Sequence, residues 1–185
     1  MELEVSAEAK DKALNRRIAI TVVLLSVFMA FAGIKDRNIT KDMSRDQAQA
    51  IDLWNEYQAT KTKRHLSQAS ADEIAALSTD PARSAKLVAA DTKDVAKYAA
   101  EEPRLARQAT AAQEDYDRLD QRHDQFDLAD AAITTAISVA AVTALIELPW
   151  LLFVTWAFGA FGVAMGLAGF LSIDLGLDRI AGFLA

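Results

Sequence analysis

Three long runs without charge divide the sequence. Residues 18–34, 131–146 and 150–173 hold 17, 16 and 24 consecutive residues with no charged side chain. An α-helix rises about 1.5 Å per residue, so runs of this order are typical of helices that cross the hydrocarbon core of a bilayer. We therefore predict three transmembrane helices rather than buried helices of a soluble domain, because too few polar residues remain to cover such helices in water.

Charged residues define the other segments. We predict a polar N-terminal tail over 1–17, an extramembrane segment over 35–130 and a short amphipathic C-terminal tail over 174–185. The turn over 147–149 is so short that the second and third spans must be antiparallel neighbours. Ala30-Phe31-Ala32 has the form of a signal-peptide cleavage site, but the 17 residues before the first run are long for a leader, which favours a retained signal anchor.

The extramembrane segment has the composition of continuous helix. No glycine occurs between Gly33 and Gly159. Asp80 is placed to cap a helix that begins at Pro81, and this predicts a helical hairpin with its tip near 78–84. Pro103 predicts a kink or a restart in the returning helix. The fold class is therefore all-α, with three transmembrane helices and a long helical hairpin between the first and second.

Apolar spacing in the returning helix predicts a coiled-coil-like seam between the two arms. Positions separated by three and four residues carry apolar side chains from Leu105 onward. Counting both arms from the membrane places Ala50 level with Tyr116, so that large residues of one arm meet small residues of the other. The predicted seam contains Trp54, Tyr57, Ala109, Ala112, Tyr116, Leu119 and Phe126.

Small residues line one face of each of the last two spans. In the third span this face includes a G-x-x-x-G pair, which permits close helix contact. The two faces can pack on each other within one chain, or they can join subunits of a homo-oligomer. The residues concerned are Gly159, Gly162, Gly166 and Gly169 in the third span and Ala132, Ala136 and Ala140 in the second.

Candidate chemistry is confined to an acidic band before the second span. Asp120, His123, Asp124 and Asp127 share one helix face and offer ligands to a divalent metal, although one helix alone supplies too few of them. The alternative is a solvated acidic face. In a symmetric oligomer the carboxylates would form rings, as in cation pathways, with Thr134, Thr135, Ser138 and Thr143 either lining a pore or bonding to their own helix.

Several function classes are disfavoured by the sequence. There is no cysteine, and no phosphate-binding loop, dinucleotide-binding glycine pattern or hydrolase motif occurs, so we expect neither enzyme activity nor a cofactor. The net charge of −6 is unsuited to nucleic acid. The partners that we expect are the lipid bilayer, further copies of the chain and a protein that binds the helical hairpin.

Particular strings resemble a bacterial membrane-protein family. They are Trp54-Asn55-Glu56-Tyr57-Gln58-Ala59 with Lys61, Arg64 and His65; Tyr116-Asp117-Arg118-Leu119; Asp124-Gln125-Phe126-Asp127-Leu128; Lys35-Asp36-Arg37-Asn38-Ile39; and the glycines of the third span. Together they resemble the family catalogued as domain of unknown function 4337, from about Arg16 to Phe170. The resemblance implies a membrane anchor, a helical extramembrane region and a membrane hairpin, with no established activity.

These observations favour an oligomeric membrane-anchored scaffold or partner-binding protein. The alternative function is a homo-oligomeric cation-conducting pore with an acidic vestibule. The expected location is the bacterial inner membrane. The family favours a cytoplasmic N-terminus with the helical hairpin outside, whereas the distribution of basic residues taken alone favours the reverse.

Overall fold

The computed structural model describes residues 2–173, with side chains described from residue 12 onward. This part of the chain forms three α-helices and no strand: α1 spans Glu2–Leu77, α2 spans Pro81–Ile146 and α3 spans Pro149–Leu171. All three are long and apolar enough to cross a membrane. The tail predicted over 174–185 lies outside the described residues.

Helix boundaries do not follow the changes in composition. α1 runs through the N-terminal tail, the first uncharged run and the polar residues that follow, and α2 likewise joins polar residues to the second uncharged run. Pro103 lies inside α2, so the restart predicted there is wrong. One proline removes one backbone hydrogen bond, and the surrounding residues continue the helix because they are good helix formers.

The ends of the helices are set by local sequence. Asp80 caps α2 as predicted, since its Oδ1 accepts hydrogen bonds from the backbone N–H groups of Ala82 at 3.1 Å and Arg83 at 3.2 Å. Between α2 and α3, Glu147 adopts a left-handed conformation with φ of 58°. Pro149 then begins α3, and Ser172, with φ of 55°, ends it.

The chain divides into two compact units. Within the described residues, the three-helix unit comprises residues 2–42 and 118–173, and the two-helix unit comprises residues 43–117. Buried residues of the three-helix unit form two apolar clusters, one of Leu14, Ile18, Ala140 and Leu152 and one of Leu25, Ile133 and Ala136. Buried residues of the two-helix unit are Met43, Ala50, Thr60 and Ala71 on α1 and Leu105, Ala109 and Ala112 on α2.

Candidate functional site

A cluster of three ionisable side chains lies in the three-helix unit. Asp36, on α1, is the first carboxylate after the uncharged run over 18–34. His123 and Asp127 are four residues apart on α2, so they lie on one face of that helix. The ligand atoms of all three residues lie within 4.8 Å of one another. Packing of α1 on α2 therefore completes a group that neither helix has alone.

His123 lies between the two carboxylates. Its Nδ1 is 2.6 Å from Asp36 Oδ1, and its Nε2 is 3.7 Å from Asp127 Oδ2. The first distance is that of a short hydrogen bond between charged groups, in which the ring N–H donates to the carboxylate. The side chains of His123 and Asp36 are 28% and 22% exposed, whereas that of Asp127 is 67% exposed.

The surroundings raise the pKa of His123. The hydrogen bond that His123 donates to Asp36 is the main cause, and the negative charges of Asp36, Asp127 and Asp124 act in the same direction, while partial burial opposes them. The imidazolium form is therefore favoured by the fold. Imidazole nitrogen and carboxylate oxygen are also metal ligands, so the cluster can hold either a proton or a metal cation.

A cleft of about 140 Å³ adjoins the cluster. Asp36, Asp127 and Asp130 contribute carboxylates to its wall. The remainder of the wall is apolar or small, formed by Met29, Ala32, Gly33, Phe126, Ala129 and Ile133. The cleft is a negatively charged recess for a small cation, and it shares Asp36 and Asp127 with the cluster although His123 does not line it.

Of the four candidate metal ligands that the sequence offers on α2, the structure places two in the cluster. His123 and Asp127 belong to the cluster, whereas Asp120 and Asp124 do not supply ligand atoms to it. Asp36 takes their place, because the third ligand comes from the neighbouring helix rather than from the same one. In the sequence, Asp36 stands out only as the first carboxylate after the first uncharged run and as part of a family string.

Side chains of α2 also bind the C-terminal end of α3. Arg122 Nε donates to the carbonyl of Gly169 at 3.3 Å, and Gln125 Nε2 donates to the carbonyl of Ile173 at 2.8 Å. The Phe126 ring packs edge-on against Phe170 at 5.3 Å. These contacts satisfy carbonyls that the end of a helix leaves without partners. In the sequence, Gln125 appears only as part of a family string, and the pattern does not distinguish Arg122.

The predicted small-residue faces lie inside the three-helix unit. A Cβ added at Gly162 would be 2.7 Å from Ile133 Cγ1, and one added at Gly166 would be 2.7 Å from the Phe28 ring. Gly159 faces Leu25 and Gly169 faces Phe126 in the same way. The alanines on the facing helix, Ala132, Ala136 and Ala140, are all buried. The structure thus accounts for these residues by packing within one chain.

The predicted seam residues are divided between the units. In the two-helix unit Ala109 and Ala112 are buried and Tyr57 and Tyr116 are half-buried. In the three-helix unit Phe126 is buried and Leu119 is half-buried. Trp54 is 39% exposed, and its assignment to the seam stays a prediction. The buried α1 positions in this unit include Ala50, Thr60 and Ala71.

An ion pair joins the two helices of the two-helix unit. Arg64 Nε donates to Glu102 Oε1, and both side chains are half-buried. The pair has the same antiparallel register that places Ala50 level with Tyr116. Arg64 was noticed in the sequence only as part of a family string, because charge alone does not reveal which acid on another helix it meets.

Hydroxyl groups in the second uncharged run bond mainly to their own helix. Thr135, Ser138 and Thr143 donate to the carbonyls of Ala131, Thr134 and Val139 respectively. Thr134 instead approaches Met29 Sδ at 3.8 Å. Thr143 is fully buried, while Thr134, Thr135 and Ser138 are exposed on the single chain.

The raised pKa of His123 predicts that stability depends on pH. The stabilisation is fully present below the unfolded-state pKa of about 6.5 and is lost as pH rises through the higher folded-state pKa. Thermal unfolding in detergent with EDTA should therefore give a higher Tm near pH 6 than near pH 8.5. Asp36→Asn should remove most of this difference, whereas His65→Gln should leave it unchanged. Equal Tm values for the wild type at the two pH values would contradict the prediction.

These features define a class of protein: over the described residues 2–173 the chain is all-helical, and its three helices there are long and apolar enough to span a membrane. The family model described as domain of unknown function (DUF4337) matches residues 14–172, and the chain belongs to this family. The family resemblance seen in the sequence is therefore confirmed. No curated protein and no solved structure matches the chain.

Proposed function

We propose that this protein is a membrane-anchored helical scaffold that assembles with further copies of itself and presents its two-helix unit to a protein partner. The proposal includes three transmembrane helices, over 18–34, 131–146 and 150–173, and an extramembrane helical hairpin over 35–130. It also places the chain in the bacterial inner membrane with a cytoplasmic N-terminus, following the family, and assigns it no enzyme activity.

The observation that carries the proposal is the apolar surface of the two-helix unit. Five large apolar side chains there are exposed by 39–71% of their surface although the surrounding sequence is polar: Ile51, Trp54, Leu66, Leu77 and Leu87. Helical spacing places Ile51 and Leu66 on the same side of α1, and the buried Thr60 on the other. A surface of this kind, outside the spans and away from the buried stripe, favours association with another protein surface.

The test compares two double variants in mild detergent. Ile51→Glu with Leu66→Glu should convert the oligomer to monomer, because charge on this face opposes its burial. The matched control, Asn55→Glu with Gln58→Glu, adds the same charge at exposed polar positions and should keep the oligomer. Mass from light scattering reports the state, and circular dichroism checks that helix content is retained. A monomeric wild type, or an oligomer that survives both double variants, would contradict self-association through this face.

One observation favours the second candidate, a cation-conducting pore. Thr134 and Ser138 are exposed, and helical spacing places them on the same side of α2 as Asp127 and Asp130. In an oligomer with this side turned to the symmetry axis, hydroxyls would follow an acidic vestibule. The test is cation conductance of the protein in reconstituted bilayers. Conductance that decreases in the double variant Asp127→Asn with Asp130→Asn would support the pore, and no conductance by the wild type would favour the scaffold.

A further inference from the structure

We propose that Asp36, His123 and Asp127 bind one divalent transition-metal ion of the Zn²⁺ class. This inference is independent of the scaffold function, because it concerns a ligand held within one chain. Two carboxylates and a neutral imidazole carry two negative charges, which balance the charge of the ion. The mixture of nitrogen and oxygen ligands favours zinc, cobalt or nickel over magnesium and calcium, which prefer oxygen alone.

The distances suit such a site after small side-chain movements. Metal–ligand bonds of about 2.0–2.2 Å in a tetrahedral site separate neighbouring ligand atoms by roughly 3.3–3.6 Å. An imidazole binds one ion through a single ring nitrogen, and the ligand atoms of the three residues, one from each, lie within 4.8 Å of one another. The short contact between His123 Nδ1 and Asp36 Oδ1, at 2.6 Å, must lengthen by about 1 Å if both atoms are to bind the ion.

The cleft provides space and access. Its volume of about 140 Å³ compares with about 30 Å³ for one water molecule, so an ion and its remaining water ligands fit. Asp130 contributes a further carboxylate to the wall, where it can accept hydrogen bonds from those waters. The exposed Asp127 side chain can turn toward the ion without disturbing the packed helices.

Binding exchanges protons for the metal ion. The imidazolium form of His123 must release a proton before its nitrogen can bind, and no bond to carbon is made or broken. The bound ion would then connect α1 to α2 through ligands from both helices. The expected consequence is a more stable three-helix unit, because an ion that binds only the folded chain stabilises it.

The experiment uses the full chain, without a histidine tag, in detergent after removal of metals with EDTA. Titration with ZnCl₂ by calorimetry should give one ion per chain, and CoCl₂ should give visible absorption bands of cobalt bound to nitrogen and oxygen. MgCl₂ at matched ionic strength should bind at least about 100-fold more weakly. Zinc should also raise the Tm.

Three variants and two controls decide whether the named residues form the site. His123→Gln, Asp36→Asn and Asp127→Asn should each weaken zinc binding by about 100-fold or more, since even loss of outer contacts weakens metal sites by about 10–100-fold. His65→Gln and Glu114→Gln should bind as the wild type does. Asp127→Asn keeps the test decisive if the other variants unfold, because this side chain is mostly exposed. No zinc binding by the wild type, or binding that persists in folded Asp127→Asn, would overturn the proposal.

Discussion

Gly162→Leu should destabilise the three-helix unit by at least about 3 kcal/mol. The first atom of the new side chain would lie 2.7 Å from Ile133 Cγ1 and 3.0 Å from the backbone oxygen of Ala129. The side chain can move only by displacing Ile133, which is fully buried, and the backbone can move only by separating α2 from α3. Unfolding by SDS in mixed micelles, followed by tryptophan fluorescence, measures the loss.

Gly33→Leu is the matched control, because Gly33 is also helical and a Cβ there would have no neighbour within 4 Å. It should leave the unfolding transition within about 0.5 kcal/mol of the wild type. Gly162→Ala should give an intermediate loss if leucine prevents folding altogether. Equal stability of the Gly162 and Gly33 variants would contradict the close packing of α3 against α2 at Gly162.

Leu105→Ala should destabilise the two-helix unit by about 2–3 kcal/mol. Leu105 is 1% exposed and is the largest fully buried side chain of this unit, where the other buried residues are mostly small. Removing it leaves a cavity that two helices cannot close by a small shift, because their backbones are already near one another. Hydrogen exchange of amides in residues 95–112 should become about 30- to 150-fold faster.

Leu87→Ala provides the comparison on the same helix, since Leu87 is 45% exposed. Exchange in residues 95–112 should be unchanged in this variant, measured at a protein concentration that keeps the oligomeric state constant. If the two substitutions accelerate exchange equally, Leu105 does not hold the helices together.

Composition was sufficient to predict the helical class and the apolar runs. A helix that crosses a bilayer needs about twenty residues with little or no charge. Because this requirement extends over so many residues, a single substitution does not hide it. The end of α1 and the start of α2 were also predictable, because a capping aspartate followed by proline acts through its own backbone. The effect of Pro103 was not predictable, because whether a proline ends a helix depends on the packing of the residues around it.

Contacts between helices were harder to predict from the sequence. The approach of Asp36 to His123 depends on the local register of two long helices, and a shift of one turn would separate them. The glycines of α3 illustrate a related limit: their spacing indicates close packing, but the same periodicity serves a neighbouring helix of the chain or of another subunit. The structure shows that Ile133 packs against Gly162 and that the Phe28 ring packs against Gly166.

In the proposed membrane-spanning arrangement, the bonds from Arg122 and Gln125 to the C-terminal carbonyls of α3 bear on how the chain enters the bilayer. α2 is synthesised before α3, and only Glu147 and Leu148 separate the two helices. Carbonyls without partners are costly near lipid, so α3 reaches its full stability only once α2 is alongside. In that arrangement, insertion of the two helices as a pair is therefore energetically favoured over insertion one after the other.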